Sequence, residues 1–179
     1  MKYIPSPELK KSDANIGQED VAQKSWAVSS GILPRIIEIY KPLSIGAAAD
    51  LGAGRGATAQ YLGNFFKRVL CVDIMDYRSN EVKRKTDFVR SDLNFDPFPV
   101  ADASFDLVTA FQILEHLENP FFVMREVKRI LRKGGLFVFS VPNPYNLVYR
   151  LRYLFTGNMP AWRLDNNHLL FLTKDVFQK

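Results

Sequence analysis

The sequence is poor in the residues that build metal and disulfide sites. Of its 179 residues one is cysteine, Cys71, and two are histidine. A lone cysteine excludes an internal disulfide and a cysteine-rich zinc site. No apolar run approaches the ~20 residues that cross a bilayer, and the polar start (MKYIPSPELKKSDANIGQED) has no secretory apolar core. The compartment this predicts is a reducing cytoplasm. There is no internal repeat and no low-complexity tract, which excludes solenoids and fibrous chains. Charge of one sign is also scarce: 24 basic against 19 acidic residues leave a net +5, which permits an acidic ligand but compels none. What remains, 47% hydrophobic and 24% charged residues, is the composition of one ordinary globular domain.

Residues 1–18 read as a flexible N-terminal arm, and 19–179 as the domain. Val21–Tyr40 has helical spacing, with Pro34 expected to divide it into two helices. The period then changes. Residues 45–51, 68–73, 87–91, 105–110 and 136–141 are short, largely apolar runs, as expected of parallel strands buried on both faces. Helix-like segments separate them. The strongest is 119–133, with Asn119 as cap, Pro120 in the first turn and Gly134-Gly135 as stop. Strand alternating with helix predicts an α/β, Rossmann-like, doubly wound and mostly parallel sheet of order 3-2-1-4-5, with helices on both faces.

The first strand runs into Asp50-Leu-Gly52-Ala53-Gly54-Arg-Gly56. Glycines let the chain turn tightly and let a ligand approach the backbone. Taken alone, Gly52-x-Gly54-x-x-Ala57 also fits a dinucleotide fingerprint or a ligand-free turn. Asp50 discriminates, because a carboxylate there is awkward beside a pyrophosphate and suits a ligand with a cationic end. Asp73, about twenty residues on at the next strand tip, can accept both hydroxyls of a ribose.

In these residues the chain resembles the first motif of class I S-adenosylmethionine-dependent methyltransferases, of the small-molecule, type 11-like kind. The resemblance spans about residues 20–175 and rests on several ordered motifs. It implies S-adenosylmethionine as cofactor, with S-adenosylhomocysteine as product. It further implies that Asp92 bonds the adenine amino group, that the Leu93 backbone meets a ring nitrogen, and that Ile74 and Leu93 sandwich the base. Phe111 and Gln112 would line the methionine portion, beside a Glu115-His116-Leu segment typical of the family. His116 is the candidate general base, since an unperturbed imidazole titrates near ~6.5; alternatively Glu115 and His116 fix the loop. Some similar ubiquinone-biosynthesis O-methyltransferases bind a divalent ion through Glu-x-x-Glu-His. Here Gln112 stands first, a poorer hard-cation ligand, so no metal is expected.

Residues 144–164 form the candidate lid or acceptor region, aromatic and carrying Arg150 and Arg152. They are expected to pack on the sheet with arginines in water, or else to close over the substrate or to rest on a membrane face and collect a lipid-linked acceptor. His168 is a second candidate base or acceptor-orienting group, in a segment resembling small-molecule and sugar methyltransferases. Arg125, Arg129 and Lys133 stack at helical spacing, on a solvated face or toward a phosphate. The last strand pair usual in the family is not legible, as in a shortened or minimal chain. The expected function is methyl transfer, preferably to oxygen, on a small, phosphate-bearing or lipid- or sugar-linked acceptor. A nucleic-acid acceptor is disfavoured, because no Asn-Pro-Pro-aromatic motif follows the fourth strand. The alternatives are an NAD(P)-dependent oxidoreductase and a non-catalytic methyltransferase-like module.

Overall fold

The computed structural model describes residues 26–40, 46–159, 168–173 and 176. The elements in chain order are α1 (Trp26–Ser29), α2 (Ile32–Ile39), β1 (Ala47–Leu51), α3 (Ala57–Leu62), β2 (Arg68–Asp73), α4 (Asn80–Lys83), β3 (Asp87–Arg90), β4 (Phe105–Phe111), a 3-10 turn (Leu114–His116), α5 (Pro120–Ile130), β5 (Leu131–Ser140) and α6 (Leu147–Thr156). The five strands pair in the order β3-β2-β1-β4-β5, and every pairing is parallel. This is the sheet expected from the alternating pattern.

Alternation along the strands explains why they read as continuous apolar runs. Ala48, Val69, Cys71 and Leu107 point to one face, where Ala27, Leu33, Ala59 and Leu62 meet them. Ala49, Leu51, Leu70, Val72, Val108 and Ala110 point to the other, against Val123, Val127 and Ile130 of α5. Both faces are therefore covered, and no strand needs a polar side. Each fully buried Leu, Val or Ile contributes roughly 1.5–3 kcal/mol of transfer free energy.

Three local expectations are corrected. The break between α1 and α2 falls at Gly31, whose φ of 75° ends the first helix, not at Pro34. Pro34 sits in the first turn of α2, where a missing N–H breaks no helical bond. Helix α5 stops at Ile130, three residues early. Its final carbonyls are taken by the loop before β4: Ala103 N–H donates to Arg129 O (3.0 Å) and Ser104 N–H to Ile130 O (2.7 Å). Arg132 is drawn instead to Asp106 of β4 (2.6 Å), and Leu131 already pairs with Phe105.

The basic stack is the third correction, since Lys133 lies in β5. Arg129 is half-buried, ion-paired to Glu126 and Asp102 (both 2.7 Å), and donates to the Phe98 and Val100 carbonyls (both 2.8 Å). It locks the 98–102 loop to α5 and is not offered to a phosphate. The arm 1–18 and residues 160–164 of the lid lie outside the described residues.

Candidate functional site

Parallel strands deliver their carboxyl ends to one edge of the sheet, and at a switch in strand order those ends flank a crevice. Here β1 lies between β2 and β4, so the predicted residues of three strand tips come to one rim.

Asp50 and Thr109 are register partners on β1 and β4, so they share a face. The Thr109 hydroxyl donates to Asp50 Oδ1 at 2.6 Å. Asp50 is only 3% exposed. Burial pushes its pKa up to about 7, against the opposing Thr109 hydrogen bond and with help from the Asp73 charge. Asp50 is thus set below the rim, a carboxylate held near its protonation point.

Asp73 does more than end a strand. Its Oδ2 accepts the Gly54 N–H (2.8 Å) and its Oδ1 accepts the Ile74 N–H (2.7 Å). It ties the glycine loop of β1 to the tip of β2. Burial still raises its pKa, with those backbone donors opposing. The Met75 backbone N–H acts on the same carboxylate, and the four lone pairs of its two oxygens exceed these three donors.

Gly52, Gly54 and Gly56 have φ of 64°, 51° and 80°. At Gly52 a Cβ would lie 2.6 Å from the Ile113 side chain, and at Gly56 it would lie 2.6 Å from Val82. The chain's own side chains therefore occupy two of the close approaches that the sequence suggested a ligand would use. Ile113 joins the β4 tip to the glycine loop. Ala53 between them is half-buried, and Ile74 is 39% exposed at the outer edge of β2.

Asp92 caps its own turn: Oδ1 accepts the Asn94 N–H (2.9 Å), and its N–H donates to Asp96 Oδ2 (2.9 Å). Leu93 turns its side chain into the main core at 6% exposure. What it offers a ligand is chiefly its backbone, which narrows the expected two-sided sandwich to Ile74. At the end of β4, Phe111 is half-buried and Gln112 is exposed. Gln112 adopts φ 54°, a left-handed conformation unusual for a side-chain-bearing residue. It is held there by N–H donation to Ser140 O (3.1 Å) and by its amide on Ser140 Oγ (3.0 Å). Backbone strain of this kind costs on the order of 1–3 kcal/mol and clusters at ligand sites.

The 3-10 turn then brings the candidate catalytic groups together. The His116 and His168 rings meet edge to face, centroids 4.7 Å apart. Glu115 is 0% exposed and neither of its carboxylate oxygens has a hydrogen-bond partner among the described residues. Burial pushes its pKa up to about 7. Its carbonyl accepts the N–H groups of Leu169 (2.8 Å) and Leu170 (3.2 Å), which fastens the 168–173 segment beside it. One donor atom from each of Glu115, His116 and His168 lies within 4.8 Å of the others. Ligand atoms about 2.0–2.2 Å from a tetrahedral zinc ion stand roughly 3.3–3.6 Å from one another.

Thr109 was not singled out by any motif, because a threonine inside an apolar strand reads as β-propensity. Its register with Asp50 was the missing signal. Glu115 was legible as part of the Glu-His segment, but its burial was not.

A sequence model of the family described as "Methyltransferase domain" matches residues 49–139, which carry the rim from β1 to β5. The chain belongs to this methyltransferase-domain family. It is 33% identical over 97 residues to a probable S-adenosylmethionine-dependent methyltransferase of Mycolicibacterium smegmatis, covering 52% of this chain and 37% of that protein. It is 29% identical over 140 residues to a dimethylglycine N-methyltransferase of Parasynechococcus marenigrum, covering 73% and 50%. Among solved structures, the YcgJ protein of Bacillus subtilis superposes with a TM-score of 0.61 at 23% identity, covering 82% of this chain and 64% of that one. That likeness is one of fold. The chain spans about a third to a half of the length of these curated relatives.

Proposed function

We propose that this chain binds S-adenosylmethionine at the rim of β1, β2 and β4 and transfers its methyl group to a small-molecule acceptor. The observation that carries this reading is the pairing of two strand-tip carboxylates, Asp50 and Asp73, across a left-handed glycine loop in a methyltransferase-family sheet. The residues fit the cofactor's chemistry. Asp73 has acceptor capacity to spare for the ribose, and Asp50 supplies a negative charge for a cationic end. When bound, the sulfonium supplies an activated methyl group, so the protein's share is position and exclusion of water.

The Gly52–Gly56 loop fixes the cofactor's amino acid end, with Phe111 and the strained Gln112 on its far side. Asp92 and the Leu93 backbone receive the adenine, and Ile74 covers it. His116 takes the proton that an oxygen acceptor loses on methylation, and His168 orients that acceptor. No metal is required. Phosphate-bearing, lipid-linked or sugar-linked acceptors suit the neighbouring aromatic and basic segment 144–159, and the cytoplasm is the compartment in which we place the reaction. Family membership favours this reading over hydride transfer.

The test is acceptor-dependent release of S-adenosylhomocysteine from S-adenosylmethionine across a panel of alcohols, phenols and amines. Turnover with an oxygen acceptor, lost in His116→Ala while cofactor binding survives, is the expected result. Cofactor binding without turnover on any acceptor points to the non-catalytic alternative.

A further inference from the structure

Helix α6 is the one long helix among the described residues that buries nothing. Its ends are well made: the Asn146 side chain accepts the N–H groups of Val148 and Tyr149, and Gly157 closes the other end at φ 68°. Leu147, Val148, Leu151, Leu154 and Phe155 recur at spacings that place them on one stripe. They are 66, 69, 47, 74 and 81% exposed. The sequence predicted that this segment would pack on the sheet; instead its apolar face points to solvent. Helical geometry puts Arg150 on one flank of the stripe and Arg152 on the other. Both are exposed, and neither forms an ion pair with a described residue. No Asp or Glu occurs anywhere between Glu126 and Asp165. An open groove of about 900 Å³ continues the stripe between α6 and Phe171, and Leu147, Arg150, Leu151 and Leu154 line it.

We propose that α6 docks on an anionic lipid bilayer, with Leu154 and Phe155 inserted and Arg150 and Arg152 on the headgroup phosphates. An apolar stripe edged on both sides by arginines is the arrangement of helices that lie in the membrane interface. Arginines snorkel to headgroups from just such flanking positions. The long stretch without a carboxylate removes the repulsion that an anionic surface would otherwise meet. No described helix is long and apolar enough to cross a membrane, so the contact is peripheral. None of these residues belongs to the β1–β2–β4 rim proposed for the cofactor, so S-adenosylhomocysteine binding reports on that reading separately.

The experiment is vesicle flotation of the full chain with phosphatidylcholine alone and with phosphatidylcholine containing phosphatidylglycerol, S-adenosylhomocysteine binding being measured on the same preparations. The chain is expected to float with the anionic vesicles only, and to be released by salt. Removing two headgroup-bound charges in Arg150→Gln/Arg152→Gln is expected to lower partitioning about thirtyfold. Leu154→Ser/Phe155→Ser is expected to lower it about tenfold or more. Because these positions are exposed, melting temperature and S-adenosylhomocysteine affinity should stay at wild-type values. Equal flotation on neutral vesicles, no flotation, or unchanged flotation of both double variants would overturn the proposal. So would a lipid-free dimer in light scattering that Leu154→Ser/Phe155→Ser abolishes, since a second copy would then cover the stripe.

Discussion

The rim of β1, β2 and β4 and the segment from Pro142 to Met159 solve opposite problems. At the rim nearly every polar group is tied to another element: Asp73 to the glycine loop, Asp50 to Thr109, Gln112 to Ser140. Rigidity there comes from side chains that reach across strands. In the later segment the backbone is just as regular, yet α6 has no buried residue. The difference teaches that helix formation and helix packing are separate events. Capping and spacing make α6, but nothing described in the chain uses its apolar face.

The sharpest way to break this contrast is at Asp73. Asp73→Ala removes two charge-assisted acceptors, each contributing roughly 1.5–3 kcal/mol. Affinity for S-adenosylhomocysteine is expected to fall about a hundredfold or more by calorimetry. An unchanged affinity would reduce Asp73 to a loop tie. Next comes Gly52→Ala, which forces a side chain into the left-handed region and against Ile113. Left-handed strain together with overpacking is expected to cost about 2–4 kcal/mol in urea denaturation. Adding Ile113→Ala should return part of that loss, and no recovery would show that the β4 tip does not lean on the loop.

The buried carboxyls give a pH signature. Asp50 and Glu115 are both pushed up to about 7 by burial. Between their ordinary values near 4 and this raised value the folded chain holds more protons than the unfolded one, so stability falls as pH rises through that window. Glu115→Gln should flatten the fall and stabilise the chain by roughly 1–3 kcal/mol at pH 8. A steeper fall would mean that the carboxylate is paired. Cation binding at Asp50 runs the other way. Affinity for the S-adenosyl ligand should rise toward pH 7, with proton release visible as a buffer-dependent binding heat.

A smaller effect is expected at Asp92, which already spends one oxygen on its own turn. Asp92→Ala should lower S-adenosyl affinity about tenfold, the equivalent of one hydrogen bond to the adenine amino group. The smallest is the response to chelator: full activity should survive excess chelator. A collapse rescued by a divalent ion would assign Glu115, His116 and His168 to a metal.

Much of the rim was legible in the sequence. Strand order followed from alternating apolar runs with both faces covered, and the glycine loop with Asp50 and Asp73 followed from their place at strand ends. What was hidden depended on contacts between distant residues. Thr109 meets Asp50 through strand register, and Ile113 fills the space over Gly52. The loop amides of Ala103 and Ser104 cap α5 three residues early. Periodicity reports which residues want burial and is silent on what buries them. For that reason it misplaced α6 against the sheet, and it left Arg129 in water when three loop acceptors and Glu126 of its own helix were waiting.

The most direct test of the rim as a cofactor site is calorimetric titration of the chain with S-adenosylhomocysteine, with NADH as comparator. The account predicts saturable micromolar binding of S-adenosylhomocysteine, abolished by Asp73→Ala, and no heat with NADH. Binding of NADH alone, or of neither ligand by a folded chain, would contradict it.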